Sequence, residues 1–221
     1  MAASRFFRRL RRRIRGLVAV LLVLLALALL VRYRLYSFLG PDRPTDSPVL
    51  VIEGWVSDDA LQAAVNWADA YAVRTLYLTG GPIETGSWLA AWHSWPEMTL
   101  ARLEAMGAAA RFDVRAFPAP KTRKDRTFVS AIALRDALGT NAPPSMTLAS
   151  ESYHLRRSAF LFRRAFADAV QIGTLPLPPL DFDQSDWYRC SSGVRFLLSE
   201  SIAYLYAILF SPTPPPLPGT V

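Results

Sequence analysis

The run Ser150-Glu151-Ser152-Tyr153-His154-Leu155-Arg156-Arg157 places one imidazole and two guanidinium groups within four residues, where an apolar stretch gives way to a helical pattern. Cations at such a junction stand near the positive end of a helix dipole, a setting suited to an anion. A histidine there can donate a hydrogen bond to phosphate or move a proton near neutral pH. Glu53 closes another apolar stretch and offers a general base, a ribose hydroxyl acceptor or a metal ligand; an ion pair with one of the arginines is the plain alternative. Thr79-Gly80-Gly81 brings two residues that tolerate positive φ, so their N–H groups can meet an anion, although a tight turn needs the same glycines. Lys121, Arg123, Lys124 and Arg126 precede Thr127 at the start of a helix, as an anion site or as solvated charge. The expected site is therefore Glu53 and His154 as acid and base, with Gly54, Thr79, Gly80, Gly81, Arg126, Thr127, Ser150 and Arg157 around the ligand.

Several other chemistries lack their residues. Residues 81–87 have the spacing of a phosphate loop, but Gly86 is followed by Ser87 where lysine is required, and there is no G-x-G-x-x-G or G-x-S-x-G. Asp181, Asp183 and Asp186 resemble the start of a calcium loop without its glycine and distal glutamate. Two histidines leave little for zinc, and His93, among Trp88, Trp92 and Trp95, reads as a packing or loop contact. The single cysteine, Cys190, excludes an intramolecular disulfide and reads as a small buried residue. No metal or cofactor is expected.

Apolar runs alternating with helical periodicity must position these residues. Strands are expected at 49–53, 74–79, 112–117, 145–150 and 170–175. Ser57 caps a helix that begins with Asp58 and Asp59 and buries Leu61, Ala64, Val65, Ala68 and Ala72. Further helices are expected at 97–106, 123–138, 153–167, with Leu155, Ala159, Phe162 and Phe166 on one face, and 193–210. This alternation predicts a three-layer, Rossmann-like α/β fold with a parallel sheet of about five strands. Ligands in such sheets lie beyond the carboxyl ends of the strands, where the residues above gather.

Before this domain comes a membrane anchor. Seven arginines between residues 5 and 15 precede the uncharged run 17–31, and Arg32 and Arg34 follow it. The whole-chain charge of +7, less the nine arginines of the first 34 residues, leaves the remainder at −2, so the pI of 10.0 belongs to the anchor. Anionic lipid, not nucleic acid, is its expected partner. Fifteen apolar residues span roughly 22 Å of a ~30 Å hydrocarbon core, so Gly16 and residues 33–39 must contribute and the two flanking arginines must snorkel. The arginine asymmetry predicts residues 1–15 in the cytoplasm, 16–39 across the cytoplasmic membrane as a single pass, and the domain outside. Ala26-Leu27-Ala28 loosely fits a signal cleavage site but lies inside the apolar run, which favours an uncleaved anchor. Residues 40–48 read as a linker, 49–210 as the domain, and 211–221, with five prolines, as an extended tail.

Taken in order, these pieces resemble the ElyC/SanA/YdcF-like family of bacterial envelope proteins. Val49-Leu-Val-Ile-Glu-Gly54 is similar to the family's first strand and loop, Leu78-Thr-Gly-Gly81 to its second-strand turn, and Arg126-Thr127 with Ser130-Ala131 to its helix-opening segment. Tyr153-His154-Leu155-Arg156-Arg157-Ser158 resembles an aromatic-His-x-x-Arg-small signature, which carries over His154 and Arg157, and residues 191–206 look like the closing helix of one branch. Glu53 stands where a small residue is common, and Val129-Ser130 where Glu-Asn is frequent. The resemblance implies an anchored α/β domain in envelope, peptidoglycan or lipid-carrier homeostasis. The expected function is binding or processing of an anionic small molecule or lipid-linked phosphate. The alternatives are a non-catalytic interaction module using its sheet edge or residues 88–95, and a nucleotide or S-adenosylmethionine binder. Oligomeric state is left open.

Overall fold

The computed structural model describes residues 2–86, 88–167 and 169–216. Five strands, β1 (Val49–Glu53), β2 (Thr75–Gly80), β3 (Asp113–Pro118), β4 (Ser145–Glu151) and β5 (Gln171–Leu177), form one sheet in the order β3-β2-β1-β4-β5. All pairings are parallel. Every residue of β1 is buried, because the central strand of a parallel sheet is covered on both faces and so reads as a continuous apolar run.

Alternation along β1 divides the core. Leu50 and Ile52 face α2 (Asp58–Ala70) and α3 (Trp95–Ala105), with Leu61, Val65 and Leu103. Val49 and Val51 face α4 (Arg126–Leu138) and α5 (Ser152–Ala165), with Leu134, Leu155 and Phe162. Glu53 continues the second set, so its side chain points to the α4 and α5 side. Strand order reverses between β1 and β4, which makes their carboxyl ends the crevice of the fold.

The helices begin where local chemistry satisfies their free N–H groups. Ser57 Oγ accepts from Ala60 N to open α2 as expected. Ser94 and Glu97 form a capping box that starts α3 at Trp95, two residues before the expected start. Helix α4 starts at Arg126, not 123, because residues 119–124 form a loop and Asp125 takes φ +54°. Ala72 departs from its expected place on the buried face: α2 ends at Ala70, and Ala72 is exposed at φ +54°.

The amino-terminal segment is one continuous helix, α1 (Ala2–Leu39), within which 13–39 is long and apolar enough to cross a membrane. Its last turn belongs to the domain. Leu39 is buried with Tyr153, Phe182, Trp187 and Leu197, and Ser152 Oγ donates to Tyr36 Oη at 2.6 Å. Arg32 donates to Tyr188 Oη at 2.7 Å and stacks on that ring, while its carbonyl accepts from Trp187 Nε1. Residues 35–39, expected to extend the span, thus pack on the domain, and Arg32 is held by aromatic side chains.

Residues 40–48 are not a free linker. Arg43 exchanges both backbone hydrogen bonds with Thr174 at 2.9 Å, and Thr45 N and Ser47 Oγ bond to Thr147 and Ser145 of β4. A Cβ on Gly173 would lie 2.5 Å from Thr45 N, so only glycine admits this strap. The final helix, α6 (Ser191–Phe210), packs on α5 and α1. Cys190 is half-buried, not buried, and accepts from Gly193 N as the α6 cap. The tail has no regular structure over residues 211–216 and is pinned by Arg164 to Pro212 O and by Arg135 to Pro215 O; residues 217–221 lie outside the described residues, as does Ser87 of the phosphate-loop spacing.

Candidate functional site

A cleft of about 590 Å³ opens above the carboxyl ends of β1 and β2, between α4, α5 and α6. Glu53, His154, Arg157 and Glu200 line its floor, and Gly80, Gly81, Arg123, Arg126 and Thr127 its rim. Four sequence expectations thus meet from four elements: the ends of β1 and β2, the start of α4 and the first turn of α5.

His154 is 8% exposed and stands between two carboxylates. Its Nε2 is 3.8 Å from Glu53 Oε2, and its Nδ1 is 3.1 Å from Glu200 Oε1. Arg157 completes the group, with Nε at 2.8 Å from Glu200 Oε2 and Nη2 at 3.0 Å from Oε1. Arg157 Nη2 also lies 3.0 Å from His154 Nδ1. A guanidinium only donates, so the tautomer decides between these contacts. With its proton on Nδ1 the ring donates to Glu200; with the proton on Nε2 the Nδ1 accepts from Arg157, and Nε2 faces Glu53 at a distance too long for a direct hydrogen bond. The edge of Trp55 meets the imidazole at a 5.0 Å centroid distance and fixes its plane.

Burial alone would push the Glu200 carboxyl up; its electrostatic and hydrogen-bond contacts with His154 and Arg157 outweigh it and hold the group down at about 2. Glu53 Oε2 accepts from Ser158 Oγ at 2.9 Å, one turn along α5 from His154. On the far side of α5's start, burial raises the Glu151 carboxyl against the hydrogen bonds it accepts from Tyr153 and Ser57 N, and burial beside Glu151 raises the Tyr153 phenol.

Glu200 is the residue that sequence reasoning missed. It lies in the closing helix, which reads as apolar packing, yet an acid inside LLSES-I-AYLY needs a partner once buried, and that was the available signal. Its presence ties Arg157 to an internal ion pair. Arg126 differs: its side chain is 75% exposed at the rim, 3.9 Å from Glu84. No side chain caps α4, so the N–H groups of its first turn lie beside Arg126 and Thr127.

Gly54, Thr79 and Ser150 do not line the cleft. Gly54 binds β2 through its N–H to Thr79 O and α3 through Thr99 Oγ1 to its carbonyl, at 2.7 and 2.6 Å. Thr79 pairs in register with Glu53, Ser150 follows Ala149, the β4 partner of Ile52, and the buried hydroxyls of both have no hydrogen-bond partner among the described residues. Gly80, at φ +155°, lets Trp95 and Pro96 pack over the β2 turn, which shapes the cleft wall.

Arg156 bonds Phe38 O and stacks on the Phe38 ring, so it secures α1 to α5. His93 is exposed, and its N–H donates to Glu97 in the α3 cap. Among the described residues no group of three or more potential ligands could hold a metal ion.

No protein-family model matches the chain, and neither the curated proteins nor the solved structures include a match. The site must therefore be read from its own geometry.

Proposed function

We propose that this is a membrane-anchored, extracytoplasmic domain that binds and processes a phosphorylated or otherwise anionic envelope metabolite, in keeping with the ElyC/SanA/YdcF-like resemblance. The observation that carries this reading is His154 poised between Glu53 and Glu200 beneath a rim bearing Arg126 and the uncapped start of α4. Arg126, Thr127 and the α4 N–H groups hold the anion, with Gly80-Gly81 forming the opposite lip. His154 transfers the proton, Glu53 orients it from one side, and Glu200 with Arg157 balances its charge from the other.

Titration calorimetry on the full chain in detergent tests this, using farnesyl phosphate, a nucleotide sugar and S-adenosylmethionine as probes. Saturable binding is expected for a phosphate-bearing probe, weakened roughly 10- to 100-fold in Arg126→Ala, the loss of a charge-assisted hydrogen bond. His154→Asn keeps the affinity within a few fold and abolishes proton uptake or release on binding. Absence of binding to all three probes, or indifference to Arg126→Ala, rejects the reading.

Trp88 and Leu89 favour a second reading. They are 98% and 96% exposed in the loop that precedes α3, an apolar pair suited to a protein partner in a non-catalytic module. In that case Trp88→Ser abolishes partner capture and Arg126→Ala is silent.

A further inference from the structure

Among the described residues, helix α6 carries an apolar stripe that is largely uncovered. Leu198, Ile202, Leu205 and Leu209 recur at helical spacing and are 51%, 71%, 57% and 62% exposed, with Phe210 beside them. The opposite face buries Gly193, Leu197 and Ala207. By length and hydropathy α6 also passes as a membrane span. Glu200 argues against spanning, since its ion pairs with His154 and Arg157 fix the middle of α6 to the domain.

Helix α6 is also held against the end of the anchor. Trp187 and Tyr188, just before α6, clasp α1 at Arg32, the end of its uncharged run, and Tyr204 of α6 meets Phe38 of α1. These contacts fall at and just beyond the end of the uncharged run of α1, so they hold α6 beside the membrane surface, and the half-buried Tyr188 stands where aromatic residues collect at a membrane interface.

We propose that α6 lies in the bilayer interface with the stripe Leu198, Ile202, Leu205 and Leu209 turned to the acyl chains. Because Ser199, Ala203 and Tyr206 on its flank form one wall of the cleft, the cleft opens at headgroup level and receives an anionic group whose tail remains in the membrane. The inference rests on the reading of α1 as an anchor.

Spin labels at single cysteines in the full chain test it, in vesicles of phosphatidylcholine and phosphatidylglycerol. Cys190→Ser is the background, since serine retains the α6 cap. Labels at Ile202→Cys and Leu209→Cys should read as about 5–10 Å below the headgroups by the contrast of oxygen and nickel-complex accessibility. Leu24→Cys in α1 should read as deeper, and Gln62→Cys on the far face of the sheet as aqueous. If Leu24 is in hydrocarbon while Ile202 and Leu209 match Gln62, the inference is overturned and the anchor stands. If Leu24 is aqueous, the anchor reading fails and the inference with it. Dipolar broadening between Ile202 labels on separate copies assigns the stripe to self-association and overturns it too.

Discussion

Glu200 binds both His154 and Arg157 with one carboxylate, so its charge state governs the cleft floor. Its folded pKa of about 2 lies below the ordinary value of 4.5 for a glutamate. A depressed folded pKa means that the stabilisation is fully present above the unfolded pKa and is lost as pH falls toward the folded one. The difference corresponds to on the order of 3 kcal/mol, drawn down between about pH 4.5 and 2. Thermal melts should show Glu200→Gln destabilised at pH 7 and markedly flatter than the wild type across that window; equal slopes would mean that the carboxylate is not held by His154 and Arg157. The sequence made His154, Glu53 and Arg126 legible because each stands next to a strand end or helix start with its own local signature. It hid Glu200, whose partners are 46 and 43 residues away and whose role exists only once α6 folds back over α5. The same separation hid the ion pair that Arg157, expected at the ligand, makes with that acid.

Close backbone approach, more than side-chain volume, positions α3 against the strand ends. A Cβ on Gly54 would stand 2.9 Å from the Trp95 carbonyl, so Gly54→Ala must displace the start of α3, and with it Trp95 in the cleft wall. We expect a loss of about 1–3 kcal/mol in urea unfolding, the usual cost of overpacking. Gly81→Ala, where a Cβ meets nothing within 4 Å, should stay within about 0.5 kcal/mol. Similar losses from both would show that the Gly54 contact is not tight. In α5, Phe162→Ala removes a ring with 0% exposure and should cost about 3–5 kcal/mol. The five strands were legible to within a residue or two at each end; for the central ones, buried β-branched and leucine runs between turn residues admit little else, whereas the edge strand β3 is not buried. Helix starts were less so: Lys121 to Lys124 continue the polar pattern of α4 without a cap, and only the backbone turn at Asp125 separates them. The α3 capping box was written in Ser94-x-x-Glu97 and escaped notice among the tryptophans around it.

At the scale of the whole molecule, the anchor and the domain share a junction in place of a hinge. Composition located the apolar run of α1, but could not show where membrane ends and core begins, since leucine and tyrosine serve both. Tyr36 and Leu39 fall on the core side: Leu39 is 1% exposed, and Tyr36 accepts from Ser152 at the start of α5, two residues before His154. A chain truncated to begin at residue 40 loses both contacts and exposes Tyr153 and Phe182, whereas one beginning at residue 33 keeps them. Removing a buried leucine forfeits roughly 1.5–3 kcal/mol, which for a domain of this size lowers the melting temperature by about 5–10 °C. We expect that difference between the two truncated chains in calorimetric melts, with Leu39→Ser in the longer chain reproducing most of it. Equal melting temperatures would detach α1 from the core and leave the domain free to swing on residues 40–48, and then the orientation of α6 toward the bilayer would no longer follow from its packing on α1.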